Sequence, residues 1–126
     1  MTATETGRTV TVALPRLPRL NSNQRMHWSV WRRRTRLIRE TAAWVTTSLR
    51  EAPMERAQIT AVIHPKTNAR FDPHNLQPTV KAAIDGIVDA RLLADDDSKR
   101  VVSVAFVAGE KDPAGPRIDL IVTEVV

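Results

Sequence analysis

The chain has no cysteine. That absence excludes a disulfide framework, a thiolate zinc site and a thiol nucleophile, and it fits a reducing compartment. Nor is there any apolar run near the ~18 residues a membrane span needs, so no membrane association is expected. The opening MTATETGRTV lacks a basic region followed by an apolar one, which argues against a secretory leader and for the cytoplasm. No internal repeat, linker or low-complexity tract interrupts the sequence. Acid is missing in one place above all: from Arg16 to Arg39 there are eight arginines and not one Asp or Glu.

What is present narrows the reading. At 126 residues and 42% hydrophobic content the chain suits one domain over 1–126, because two cores would each be too small to bury enough surface. Residues 1–8 are expected to be a flexible N-terminus. Lys and Arg number 19 against 14 Asp and Glu, giving a net charge of +5 and a pI of about 10.7. Fifteen of those cations are arginine, whose planar fork of donors matches phosphate. A polyanion is therefore the expected partner, not a small-molecule substrate.

Hydrophobic spacing places the elements. Thr9 to Leu14 alternates as a half-buried strand and stops at Pro15. The segment LPRLNSNQRMHW is rich in turn formers and reads as an ordered loop. From Ser29 to about Leu49, Val30, Leu37, Ile38, Thr41, Trp44, Val45 and Leu49 recur at helical spacing with arginines between them. Trp28, Trp31 and Trp44 are expected in the core. Gln58 to His64 reads as a second strand, and Pro78 to Ala90 as a second helix with proline in its first turn. Val101 to Ala108 and Arg117 to Val125 read as strands joined by a KDPAGP hairpin. The expected fold is α+β: a mixed sheet of about four strands packed by two main helices.

The stretch from Arg70 to Asp97 carries the chemistry. It holds six of the fourteen acids around a single lysine. Asp72, His74 and the run Asp95 to Asp97 lie on either side of the second helix, and a divalent cation would explain their mutual tolerance. Lys81, Asp85 and Asp89 share one face of that helix at four-residue steps. Each also has a plainer reading. Asp72 before Pro73 is a good turn former, the Asp triplet suits a solvated turn, and Lys81 with Asp85 suits an exposed ion pair. Asp89 is expected to face solvent, and His27 and His64 to be structural.

The run DPHNLQPTVKAAIDGIVDARLLADDD resembles the acidic motif of the RusA-like Holliday junction resolvases. In that family an Asp-x-Asp-Asn-Leu segment leads into a lysine-bearing helix and ends at an Asp-Asp pair. LNSNQRMHW is similar to the family's loop before its first helix, so the resemblance spans roughly residues 9 to 125. It implies a RusA-like fold and a homodimer, in bacterial or phage-infected cells, that cuts four-way DNA junctions with Mg²⁺ held by aspartates. Asp72 matches the first motif aspartate, Asn75 and Leu76 the Asn-Leu pair, Lys81 the helix lysine, and Asp95 and Asp96 the terminal pair. Two departures stand out: His74 replaces the second aspartate, and three residues around Pro78 are extra.

The expected site follows. Asp72, His74, Lys81 and Asp96 are the candidate catalytic residues, and Asp72, His74, Asp85, Asp95 and Asp96 the candidate ligands of Mg²⁺. An imidazole in that set shifts the preference towards Mn²⁺. His74 is alternatively a general base for the attacking water, or a position that has lost its function. Arg25, Arg32, Arg33, Arg36 and Arg70 are the expected DNA contacts. Three function classes stand: a metal-dependent endonuclease on branched DNA, a weakened or inactive junction-binding relative, and a structural or partner-binding protein.

Overall fold

The computed structural model describes residues 6–126. Strand β1 runs Thr6–Leu14, helix α1 Trp28–Ser48, strand β2 Ala57–His64, helix α2 Gln77–Asp89, strand β3 Val101–Ala108 and strand β4 Arg117–Val125. A 3₁₀ turn, Pro73–Leu76, leads directly into α2. The flexible N-terminus expected over 1–8 is corrected at its inner end. Thr6 to Arg8 already belong to β1, and the Arg8 guanidinium bonds Glu51 at 3.0 Å, fastening the strand to the segment after α1. Residues 1–5 lie outside the described residues.

The sheet order is β1-β4-β2-β3, with β2 and β3 parallel and the other neighbours antiparallel. This is a small α+β domain with a mixed four-stranded sheet and two helices, as the spacing implied. A parallel pair needs a crossover, and α2 supplies it. The KDPAGP hairpin is overturned, because β4 lies between β1 and β2 rather than beside β3. The connecting segment is tied across the end of β2: Gly109 N–H donates to the Ile63 carbonyl at 2.8 Å and Asp112 N–H to that of Pro65 at 2.7 Å. Turn residues specify a reversal but not which strand the returning chain joins.

Burial alternates along β2, and Ala57, Ile59, Ala61 and Ile63 join Val10, Val12, Leu120 and Val122 in one core with both helices. Each fully buried Ile or Leu there contributes roughly 1.5 to 3 kcal/mol. On α1 the buried stripe is Ile38, Ala42 and Thr46. It is turned slightly from the expected one, which leaves Leu37 and Leu49 exposed. The tryptophan expectation fails for two of three: Trp28 is 63% and Trp44 72% exposed, while Trp31 is half-buried. For Trp44 the reason is the tight seam between the helices. A methyl group on Gly86 of α2 would collide with the Arg39 carbonyl and stand 2.8 Å from the Ala42 Cβ, so an indole has no room there.

Helix α2 ends in a left-handed turn. Arg91 has φ 65°, Leu92 N–H reaches back to the Ile87 carbonyl, and Arg91 N–H to that of Val88. This is the paired closure that satisfies the last carbonyls of a helix. Leu92 and Leu93 then bury, and the acidic run that follows comes back alongside α2. No helix among the described residues is long and apolar enough to cross a membrane.

Candidate active site

Asp72 opens the site by capping the 3₁₀ turn. Its Oδ1 accepts the His74 N–H at 3.0 Å, and the His74 Nδ1 lies 3.5 Å from the same oxygen. The turn-forming role of Asp-Pro is thus real, and Asp72 performs it while facing an open groove. His74 is 72% exposed along its side chain and stacks on Phe106 of β3, ring centres 5.0 Å apart. Asn75 and Leu76 follow, with Leu76 buried as the anchor of the turn.

One face of α2 carries the second cluster. The Lys81 ammonium donates to Asp85 Oδ1 at 2.7 Å and also bonds Asp96. Asp95 Oδ1 accepts the Asp96 N–H at 2.7 Å, which orients the pair. Bonds to Asp85 and then Asp96 push the Lys81 ammonium above its ordinary range. Lys81 in turn holds the Asp96 carboxyl below the usual carboxylate range. Helical spacing alone accounts for Lys81 and Asp85; the return of Asp96, fifteen residues on, is a tertiary result.

The structure therefore assembles the acids in two groups, Asp72 with His74 and Lys81 with Asp85, Asp95 and Asp96. Among the described residues, no three or more His, Cys, Asp or Glu side chains gather closely enough to hold a metal ion. Carboxylate oxygens are the donors Mg²⁺ takes, so the set fits in kind. In place, Lys81 already supplies the positive charge between Asp85 and Asp96.

A groove of about 1090 Å³ runs past Asp72 and was not foreseen. Arg16, Arg19, Arg34 and Lys66 line it, with the amides of Asn21, Asn23, Gln24 and Asn75. Its wall is the loop between β1 and α1, stitched to α2 by a two-way bond. Leu20 N–H donates to Thr79 Oγ1 at 2.8 Å and the Thr79 hydroxyl donates to the Leu20 carbonyl at 2.7 Å. Ser22 N–H adds a bond to the Asn75 carbonyl. Ion pairs of the described residues engage Arg8, Arg39, Lys81, Arg100 and Arg117 and none of the groove's four cations. Burial pushes the Arg19 guanidinium below its ordinary range. The sequence signal was the acid-free arginine run; what it lacked was the loop's docking on Thr79.

The other expected contacts sit elsewhere. Arg25, Arg32, Arg33, Arg36 and Arg70 are all exposed. Arg32, Arg33 and Arg36 line a second hollow of about 790 Å³ with Trp28 and Trp31, and the Arg32 guanidinium lies 5.5 Å from the Trp28 ring centre. Asp89 is exposed, as expected, and receives two bonds from Arg39 at 2.6 and 2.8 Å. The helix seam at Gly86 brings the two residues into reach. His27 caps α1 through Ser29 N–H, and His64 binds the Glu110 carbonyl and lies 3.3 Å from Asp119. Both are structural. No protein-family model and no curated protein matches the chain.

Proposed function

We propose that the chain is a metal-dependent, structure-selective DNA endonuclease that hydrolyses phosphodiesters in Holliday junctions or other branched DNA, in the manner of the RusA-like resolvases. The observation that carries this reading is the groove, in which four cations that pair with no acid among the described residues share their walls with Asp72. A phosphodiester strand brings one negative charge per nucleotide and would lie along such a trough. A partly desolvated Arg19 gains most from an arriving phosphate, which returns the hydrogen bonds that burial removed. The amides of Asn21, Asn23, Gln24 and Asn75 add neutral donors to phosphate oxygens.

In this reading the cations hold the strand and Asp72 stands beside it. Lys81 offers positive charge to the crowded transition-state oxygens, and Asp85 keeps it in place. Asp72, Asp85, Asp95 and Asp96, with His74, would hold Mg²⁺ only on closure of the two groups about the ion, which would then contribute Lewis-acid stabilisation of phosphoryl charge. One observation favours a second reading, a junction-binding protein with weak or no catalysis: Lys81 already neutralises Asp85 and Asp96. A gel assay of a synthetic four-way junction and a matched linear duplex, each with Mg²⁺, Mn²⁺ or neither, separates the two. Paired symmetric nicks in the junction support the nuclease; tight junction binding without nicks in either metal supports the binding protein.

A further inference from the structure

Trp28 is 63% exposed and is not among the side chains packed on the core, unlike its neighbour Trp31. It nevertheless has fixed company. The His27 ring stands 5.5 Å from it, tilted by 33°. That imidazole is itself tied down, since its Nδ1 accepts the Ser29 N–H at 3.2 Å and lies 2.7 Å from the Ser29 hydroxyl. One helical turn on, the Arg32 guanidinium lies 5.5 Å from the indole centre. Three planar groups are thus gathered at the start of α1, and the largest is open to solvent.

Charge around this platform is one-sided. Arg32, Arg33, Arg36 and Arg39 line the hollow against two acids, Glu40 and Asp89. Arg39 is committed to Asp89. Among the described residues no ion pair engages Arg32, Arg33 or Arg36. An open indole beside guanidinium groups that lack acid partners matches the two chemistries of a nucleotide, a base with a π-face and a phosphate. A duplex cannot use the ring, because neighbouring pairs already cover the faces of its bases.

We propose that the hollow at Trp28 binds an unpaired nucleotide of single-stranded DNA, with the base stacked on the indole and the adjoining phosphates on Arg33 and Arg36. Arg32 adds cation–π attraction to the same platform. The hollow shares no lining residue with the groove at Asp72. Arg33 and Arg34 are adjacent in the chain yet line one each, because successive side chains of a helix point about 100° apart. A branched DNA with a duplex in the groove and an unpaired arm over α1 would fill both. The substrate class this names is a flap or fork, which has such an arm, over a fully paired junction.

The inference rests on the reading of the chain as a DNA-binding protein and not on cleavage. Its test is a titration of the full chain, in EDTA, with an oligothymidylate of roughly ten nucleotides, followed by indole fluorescence. Stacking should quench the emission. Trp28→Ala should weaken this binding at least ~5-fold and leave binding to a hairpin duplex unchanged, whereas Trp28→Phe keeps an aromatic face and should retain most of the affinity. Trp44→Ala removes an exposed indole outside the hollow and should change neither. Arg33→Ala and Arg36→Ala should each lower the log-log salt slope on the single strand by about 0.7. Urea midpoints equal to that of the native chain show that the variants fold; if the alanine chain does not, Trp28→Leu, apolar but without a π-face, replaces it with the same expected loss.

An abasic strand of equal length carries the same phosphates without bases, and it should bind weakly and ignore Trp28. Equal affinity for the abasic strand and the oligothymidylate would make the hollow a surface for polyanions and overturn the proposal. So would oligothymidylate binding indifferent to Trp28→Ala, or an equal loss on the duplex. A chain that nicks a junction but ignores oligothymidylate keeps the nuclease reading and loses this one, and a chain that holds oligothymidylate through Trp28 but nicks nothing does the reverse.

Discussion

Thr79 and Leu20, 59 residues apart in sequence, hold each other by two hydrogen bonds through a single hydroxyl. Both residues are buried, so neither Leu20 backbone group has water to turn to. Thr79→Val keeps the shape and strands a donor and an acceptor, which should cost about 1 to 3 kcal/mol. Thr79→Ser keeps the hydroxyl and should recover most of it. Urea denaturation measures both. DNA affinity should follow the same order, because the loop that Leu20 anchors forms the groove wall; a valine variant of native stability would show that the clamp is dispensable.

Cleavage should separate from binding at the acids. Asp72→Asn and Asp96→Asn are each expected to abolish nicking while leaving junction affinity within a few-fold, since ligands of a metal act on the transition state more than on the bound strand. His74→Asp should raise activity in Mg²⁺ relative to Mn²⁺ by restoring an all-oxygen donor set. Near-normal nicking by either asparagine variant places the chemistry elsewhere.

The two basic surfaces make different predictions. Replacing Arg19 or Lys66 with Ala should weaken DNA binding and lower the log-log salt slope by about 0.9 per lost phosphate contact on duplex. Arg33→Ala, on the second hollow, tests whether α1 touches DNA at all. If the salt slope changes only for Arg33, the strand runs over α1 and the groove is not its path.

Asp89 links stability to pH. The hydrogen bonds from Arg39 hold its carboxyl below the usual range, so the pair stabilises the fold above the unfolded carboxylate pKa of about 4. That stabilisation is lost as pH falls through the lower folded value. Arg39 stays protonated throughout, so no alkaline limb accompanies it. Both side chains are substantially exposed, and solvent screening limits the effect to a few tenths of a kcal/mol up to about 1. Asp89→Asn should be less stable than the native chain at pH 7, and the difference should shrink towards pH 3. A difference independent of pH would mean that the carboxylate charge is not the cause.

The sequence by itself determined the local elements and their chemistry. Period-two and period-3.6 spacing located all four strands and both helices, since which side chains can share a buried face depends on backbone geometry alone. The acid-free arginine run and the acid-rich stretch were visible for the same reason, because charge is a property of residues and not of contacts. Tertiary structure decided everything that depends on a distant partner. It put β4 between β1 and β2 by tying Gly109 and Asp112 to the end of β2. It turned Trp28 and Trp44 outward, and it closed the helix seam at Gly86 so tightly that not even a methyl group fits there. It brought Asp96 to Lys81 through the left-handed turn at Arg91, and it built the groove by docking Leu20 on Thr79. Each is a contact between segments far apart in the chain, where packing volume and the satisfaction of buried polar groups select one partner among many that local pattern allows.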